Sequence, residues 1–68
     1  MNDIEKKVFN YIKSLDKQLI LIEEIYSIKE SKGLILIRMA TKQHTLNFSI
    51  SVRDVVNGDF YDLKLKLR

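Results

Sequence analysis

The 68-residue sequence contains no cysteine, no proline and only two glycines. Without cysteine, disulfide bridges and cysteine-based zinc sites are excluded, and a single histidine, His44, leaves little for any other transition-metal site. The shortage of proline and glycine, with a hydrophobic fraction of 46%, argues against a disordered chain. A chain this short must therefore be stabilised by tight apolar packing or by self-association.

Long apolar runs are missing as well. The longest cover residues 19–22 and 34–37, whereas a membrane-spanning helix needs about 18 apolar residues. The amino-terminal segment MNDIEKK is charged and leads directly into an amphipathic pattern, unlike a secretory signal peptide. We therefore expect one small domain over residues 1–68 that acts in the cytoplasm, or in the host cytoplasm if a phage encodes it.

Charge is unevenly distributed along the chain. Residues 1–34 carry six basic and six acidic side chains, while residues 35–68 carry six basic and three acidic ones, which accounts for the net charge of +3. Such an asymmetry suggests an anionic partner for the carboxyl-terminal half.

The first segment, residues 2–15, predicts an amphipathic helix. Asn2 is a suitable N-cap, and Glu5 three residues later completes a capping-box pattern. The apolar residues of this segment recur at the spacing of one helical face. They are Ile4, Val8, Tyr11, Ile12 and Leu15.

Residues 19–28 are ambiguous between a strand and a continued helix. Their isoleucine content favours a strand, and a turn at residues 31–32 would pair Ile28 with Ile35 and Tyr26 with Ile37. All four side chains would then point at the helix. A helical stripe through the same segment remains an alternative at this stage.

Two adjacent glutamates interrupt the alternation of this first strand. Glu23 and Glu24 indicate a bulge or a sharp bend. An unbroken strand would point Glu24 into the core beside Met39, where an unpaired carboxylate is costly. We therefore expect a bulge that turns Glu24 towards solvent.

Residues 34–40 and 45–52 predict a second hairpin. In the latter segment apolar and polar side chains alternate, as in a strand with one buried face. A turn at residues 42–43 sets the register of the two strands. It pairs Met39 with Leu46, Ile37 with Phe48, and Ile35 with Ile50.

The dipeptide Asn57-Gly58 is the strongest hairpin signal in the sequence, because a type I′ turn needs positive φ at both central residues. With the turn there, apolar residues pair with apolar ones and polar with polar down to residue 67. The predicted fold class is therefore α+β: an N-terminal helix packed on one face of a four-stranded antiparallel meander (α-β-β-β-β).

A single helix cannot cover both faces of such a sheet, and several large apolar side chains would point away from it. Contiguous apolar patches on soluble proteins usually mark interfaces. We therefore predict a protein interface, either in a homodimer formed through the first two strands or with a larger protein. The alternatives are that the first strand is a helix, or that curvature buries these residues. The predicted interface residues are Leu19, Leu21, Ile25, Leu34 and Leu36.

Alternation also places four cations on the outer face of the last two strands, beside serine, threonine and asparagine side chains. This composition suits phosphate contacts, so nucleic-acid binding is the alternative function. A solvated strand face whose lysines discourage aggregation explains the same pattern. The candidate residues are Arg53, Lys64, Lys66 and Arg68.

Nothing in the sequence indicates catalysis or a cofactor. His44 has no carboxylate near it in the sequence, and the isolated glycines form no phosphate-binding loop. The abundance of lysine, isoleucine and asparagine is typical of AT-rich genomes, and short cysteine-free chains are common among phage and mobile-element products. We therefore predict a small non-enzymatic binding or regulatory module that modulates a larger host protein by direct contact.

Overall fold

A computed structural model describes residues 1–68 in full and contains three helices and three strands. The strands form one antiparallel sheet in the order β1-β2-β3, and the helices pack on one of its faces around a shared apolar core. None of the three helices has the length and apolar composition that a membrane span requires. The elements are α1 (Asp3–Leu15), β1 (Ile22–Ser31), β2 (Leu34–Thr41), β3 (Thr45–Ser51), α2 (Val52–Val56) and α3 (Tyr61–Leu67).

The predicted amino-terminal helix and its capping box are confirmed. The Asn2 side chain accepts the Glu5 N–H at 2.8 Å, and the Glu5 carboxylate accepts the Asn2 N–H at 2.9 Å. The same carboxylate accepts the Glu30 N–H of β1 at 2.8 Å, while Asn2 Nδ2 donates to the Glu30 carboxylate at 3.0 Å. The cap therefore also fastens the start of α1 to the end of β1.

These contacts predict a pH-dependent contribution of Glu5 to stability. The Glu30 N–H, and after it the Asn2 N–H, lowers the pKa of the Glu5 carboxyl below its ordinary value of 4.5. The contribution is therefore complete above about pH 4.5 and is lost as the pH falls through the lower folded-state pKa. We expect Glu5→Gln to be less stable than the wild type at neutral pH and to converge with it in acid, as measured by denaturant unfolding across pH.

Glu23→Gln is the matched control for this experiment, since Glu23 is exposed and makes no side-chain hydrogen bond. A constant stability difference between Glu5→Gln and the wild type from neutral to strongly acidic pH would contradict the assignment.

The strand favoured over a helix at residues 19–28 is confirmed from Ile22 onwards: β1 runs from Ile22 to Ser31, and residues 19–21 precede it. Near the turn, from Ser27 to Ser31, the predicted register with β2 is wrong by two residues. Ile28 pairs with Ile37 instead of Ile35. The hairpin turns at Lys32 and Gly33, whose φ values of 53° and 80° are those of a type I′ turn. Because a shift of two residues preserves the face of each side chain outside a bulge, Ile28, Ile35 and Ile37 are still buried.

Strand β1 is interrupted by two bulges. The pairing with β2 shifts between Ile22 and Glu24, which confirms the predicted bulge, and Glu24 is exposed. A second shift lies between Ile25 and Ser27. It turns Tyr26 outwards, to 50% exposure, with the Arg38 guanidinium 5.8 Å from its ring centroid. The expectation that Tyr26 points at the helix is therefore wrong.

The register of β2 with β3 is confirmed. Each predicted pair is observed, and the pairing continues without a shift from one end of β3 to the other. The observed pairs include Met39 with Leu46, Ile37 with Phe48, and Ile35 with Ile50.

The predicted fourth strand is wrong: residues 52–56 and 61–67 are helices, so the sheet has three strands. Asn57 has φ −81° and caps α2, while only Gly58, at φ 73°, is left-handed. The Gly58 N–H donates to Val55 O at 3.0 Å, and the Asp59 N–H to Asp54 O at 2.8 Å. This is a Schellman C-cap, which uses a glycine as readily as a hairpin turn does.

The leucines of α3 alternate along the sequence as in a strand, but they lie on different sides of the helix. Leu63 and Leu67, four residues apart, are buried at 1% and 3% exposure, whereas Leu65 points outwards at 48%. At the start of α3, the Phe60 ring stacks on Tyr11 of α1 with centroids 4.3 Å apart. The two carboxyl-terminal helices therefore complete the apolar layer that α1 alone leaves open.

Candidate binding cleft

The structure separates the five residues of the predicted protein interface. Leu34 and Leu36 are exposed on the outer face of β2, while Leu19 and Leu21 are exposed in the segment before β1. The Lys42 N–H donates to Leu21 O at 3.0 Å, and strand rise places Leu36 about 20 Å from Lys42 along β2. The two leucine pairs therefore do not share one patch.

The remaining member of that set, Ile25, has a different role. It pairs with Met39 and is only partly exposed, packed against the core. Its contribution within the chain is thus apolar packing.

Three of the four candidate nucleic-acid residues lie on helices, and the fourth lies directly after one. Arg53 is in α2, Lys64 and Lys66 are in α3, and Arg68 follows it. Residues two positions apart on a helix are separated by about 200° around its axis, so Lys64 and Lys66 point in different directions. Lys66 and Arg68 line the larger of two cavities, and Lys64 and Arg68 line the smaller, so no single stripe holds all four.

The larger cavity is an open cleft of about 340 Å³ at one end of the molecule. Three segments that are distant in sequence form it: residues 17–21 after α1, residues 41–46 around the β2–β3 loop, and residues 66–68 at the end of α3. A volume of this size is at the lower end of the range for ligand-binding pockets.

The first segment is fixed by hydrogen bonds of its own. The N–H groups of Leu19 and Ile20 donate to Leu15 O at 3.0 and 3.3 Å, and the Lys17 N–H donates to Ile20 O at 2.7 Å. The Asp16 carboxylate accepts the Ile22 N–H at 2.9 Å. Lys17 itself adopts φ 67°, which makes the tight turn possible.

The β2–β3 loop is organised by Thr41. Its N–H donates to His44 O at 2.8 Å, and its hydroxyl oxygen accepts the N–H groups of Gln43 and His44 at 3.3 and 3.1 Å. The Lys42 N–H joins this loop to Leu21, so two walls of the cleft are connected directly. These bonds fix the backbone of Lys42 and His44, both of which line the cleft.

The cleft is strongly asymmetric in charge. Its lining includes four residues that are cationic at neutral pH, and His44, but no aspartate or glutamate. One of the lining cations, Lys66, forms an exposed ion pair with Asp62, one helical turn away, at 3.5 Å; such pairs contribute little. The four cations are Lys17, Lys42, Lys66 and Arg68.

The inner wall of the cleft is apolar. Ile20 and Leu46 are half-buried and Leu67 is buried, all three packed in or against the core. Leu19 and Leu21 continue this surface outwards, and Leu21 is 55% exposed. A charged rim around an apolar wall is suited to a ligand that carries both negative charge and an apolar group.

The cleft therefore combines residues from both predicted sites. Its lining includes Leu19 and Leu21 of the predicted protein interface and Lys66 and Arg68 of the predicted nucleic-acid site. Sequence reasoning missed Lys17 and Lys42 because their proximity depends on the turn after α1 and on the helical path of residues 61–67. The excess of basic residues in residues 35–68 was the one sequence signal that pointed to a cationic site.

Neither a metal-binding arrangement nor a similarity to other proteins indicates what the cleft binds. No group of three His, Asp or Glu side chains is arranged to hold a metal ion. Comparisons of the chain with protein-family models, with curated proteins and with solved structures found no match. The function is therefore inferred from the chemistry of the cleft.

Proposed function

We propose that this protein is a small non-enzymatic binding module that takes an acidic segment of a partner protein into the cleft. The observation that carries the proposal is the charge of the lining, which contains four cationic side chains and no aspartate or glutamate. An acidic segment would bring the missing negative charge, and an apolar side chain within it would cover Leu21 and the wall formed by Ile20 and Leu46.

A peptide fits the cleft better than a nucleic acid does. Single-stranded nucleic acids bind on aromatic platforms as well as cations, and the cleft lining contains no Phe, Tyr or Trp. Its apolar members are aliphatic, which suits leucine-like side chains. Arg53 and Lys64 lie outside the cleft, so the cations do not form the continuous track that a phosphate backbone would follow.

The proposed role is to bind a partner protein without catalysing a reaction. The ionisable groups of the lining are lysines, an arginine and one histidine, all suited to holding an anion, and the Thr41 hydroxyl already accepts two backbone N–H groups. That the module comes from a phage or mobile element, and modulates a larger host protein, stays a prediction from composition. The dimer through the first two strands also stays a prediction.

Two double variants of equal net charge test the cleft. Lys42→Gln/Lys66→Gln removes two lining cations, whereas Lys29→Gln/Lys64→Gln removes two exposed cations outside the cleft. The probe is a fluorescently labelled peptide of alternating glutamate and leucine, with affinity measured by anisotropy. We expect the first variant to lose about tenfold in affinity and the second to bind as the wild type does.

The apolar part of the site is tested with Leu21→Ser, matched by Leu36→Ser on the outer sheet face. We expect only the former to weaken binding of the glutamate–leucine peptide. Equal losses in both double variants, or tighter binding of a labelled single-stranded oligonucleotide than of the peptide, would contradict the proposal and favour nucleic-acid binding through Arg53, Lys64, Lys66 and Arg68.

A further inference from the structure

The three-stranded sheet has two edges, and only the β1 edge is protected. Two bulges interrupt β1, and the Glu30 N–H is occupied by the Glu5 carboxylate. Bulges and covering groups of this kind are what natural proteins use to prevent an edge from pairing with another strand. No second chain could add to β1 in a continuous register.

Helices α2 and α3 contact β3, but the β3 edge has no bulge, and no hydrogen bond occupies its outward backbone groups. Strand β3 keeps an unbroken register with β2 over its whole length, and its sequence, TLNFSIS, contains no charged residue and no proline. The Val52 N–H donates to Gly33 O, and His44 O accepts the Thr41 N–H, so even-numbered residues face β2. By alternation, the N–H and C=O groups of Thr45, Asn47 and Ser49 face away from the sheet, and no other strand pairs with them.

The sequence of β3 is also complementary to itself. In an antiparallel pair centred on Phe48, Leu46 lies opposite Ile50 of the second copy, and Asn47 lies opposite Ser49 of the second copy. Every apolar side chain then meets an apolar one, every polar side chain a polar one, and no like charges approach. The pairing also places the outward N–H and C=O groups of Asn47 and Ser49 directly opposite one another.

From the open edge and its self-complementary sequence, we propose that two copies of this chain associate through β3 into a continuous six-stranded antiparallel sheet. Leu46 and Phe48 are only partly buried in the single chain, and the pairing covers more of both. The association uses the edge of β3, whereas the acidic segment is assigned to the cleft. Leu46 borders both surfaces, but Asn47 and Ser49, which test the pairing, do not line the cleft.

Hydrogen exchange of the full chain, followed by NMR from micromolar to millimolar concentration, tests the pairing. The Phe48 N–H is bonded to β2 in a single chain and serves as the internal reference. We expect the Asn47 and Ser49 amides to exchange quickly in dilute solution and to become protected as the concentration rises. Protection that does not change with concentration, or a chain that sediments as a monomer throughout, would overturn the proposal.

Charge placement tests the register. In Asn47→Glu/Ser49→Glu, like charges lie opposite each other across the proposed dimer, and we expect self-association to weaken by about tenfold or more. In Asn47→Glu/Ser49→Lys, opposite charges meet, and association should persist. Both variants place the position-47 glutamate beside Arg38 within the chain, so a common fold is checked by their NMR spectra. Equal association in the two variants would overturn the β3 pairing.

Discussion

Replacing Leu63 with alanine is expected to lower the free energy of unfolding by about 2–5 kcal/mol, whereas Leu65→Ala should cost less than about 1 kcal/mol. Leu63 is 1% exposed and Leu65 is 48% exposed, because α3 points them in different directions. A domain of this size has a total stability of about 3–10 kcal/mol, so Leu63→Ala should populate the unfolded state measurably. Urea denaturation monitored by circular dichroism gives both values.

The same pair distinguishes a helix from a strand at residues 61–67. On a strand, Leu63, Leu65 and Leu67 would share one face, and their truncation would have comparable costs. Similar losses for Leu63→Ala and Leu65→Ala would therefore contradict the helix.

Gly58→Ala is expected to destabilise the protein by about 1–2 kcal/mol, because a side chain is disfavoured in the left-handed conformation. Gly58 has φ 73°, and an added Cβ would meet no atom within 4 Å, so the cost comes from the backbone alone. Asn57→Ala should change stability by less than about 0.5 kcal/mol, since Asn57 has φ −81°. Thermal or urea unfolding of the two variants measures the difference.

Asn57 is the control that separates a helix C-cap from a hairpin turn. A type I′ turn requires positive φ at both residues, so there Asn57→Ala would be costly as well. Comparable destabilisation by Asn57→Ala and Gly58→Ala would contradict the C-cap.

Most of the structure of residues 1–51 was predictable because the local signals there agree with the tertiary contacts. The capping box of Asn2 and Glu5 marks the start of α1, and the alternation in β3 fixes its register with β2. Along β1 the turn lies one position later than predicted, at Lys32 and Gly33. The burial of the alternating isoleucines survived, because a register error of two residues leaves each side chain on its own face.

Residues 52–68 were not predictable from the same rules, because their signals fit two structures. Asn-Gly supplies a left-handed residue to a hairpin and to a helix C-cap alike. Leucines at positions 63, 65 and 67 satisfy the strand period, while Leu63 and Leu67 alone satisfy the helical one. Tertiary packing decides, because α2 and α3 contribute Val55, Leu63 and Leu67 to the core that α1 leaves incomplete.

The cleft forms only because residues 61–67 are a helix. With residues 61–67 as a strand, Lys64, Lys66 and Arg68 would share the outer face of the sheet. As a helix, the chain brings Lys66 and Arg68 to the turn after α1 and to the β2–β3 loop, beside Lys17 and Lys42. Such a site is set by tertiary contacts among distant segments, and no local sequence pattern reports it.

The most direct test of the cleft as the binding site is an NMR titration of the ¹⁵N-labelled chain with the glutamate–leucine peptide. We expect the shifted amides to cluster at residues 17–21, 41–46 and 66–68, and the shifts to diminish as salt is added. The outer-face residues Leu34 and Leu36 should remain unchanged. Shifts that centre on β2 and the outer sheet face, or that spread evenly over Arg53 and Lys64 as well, would contradict the assignment of the cleft.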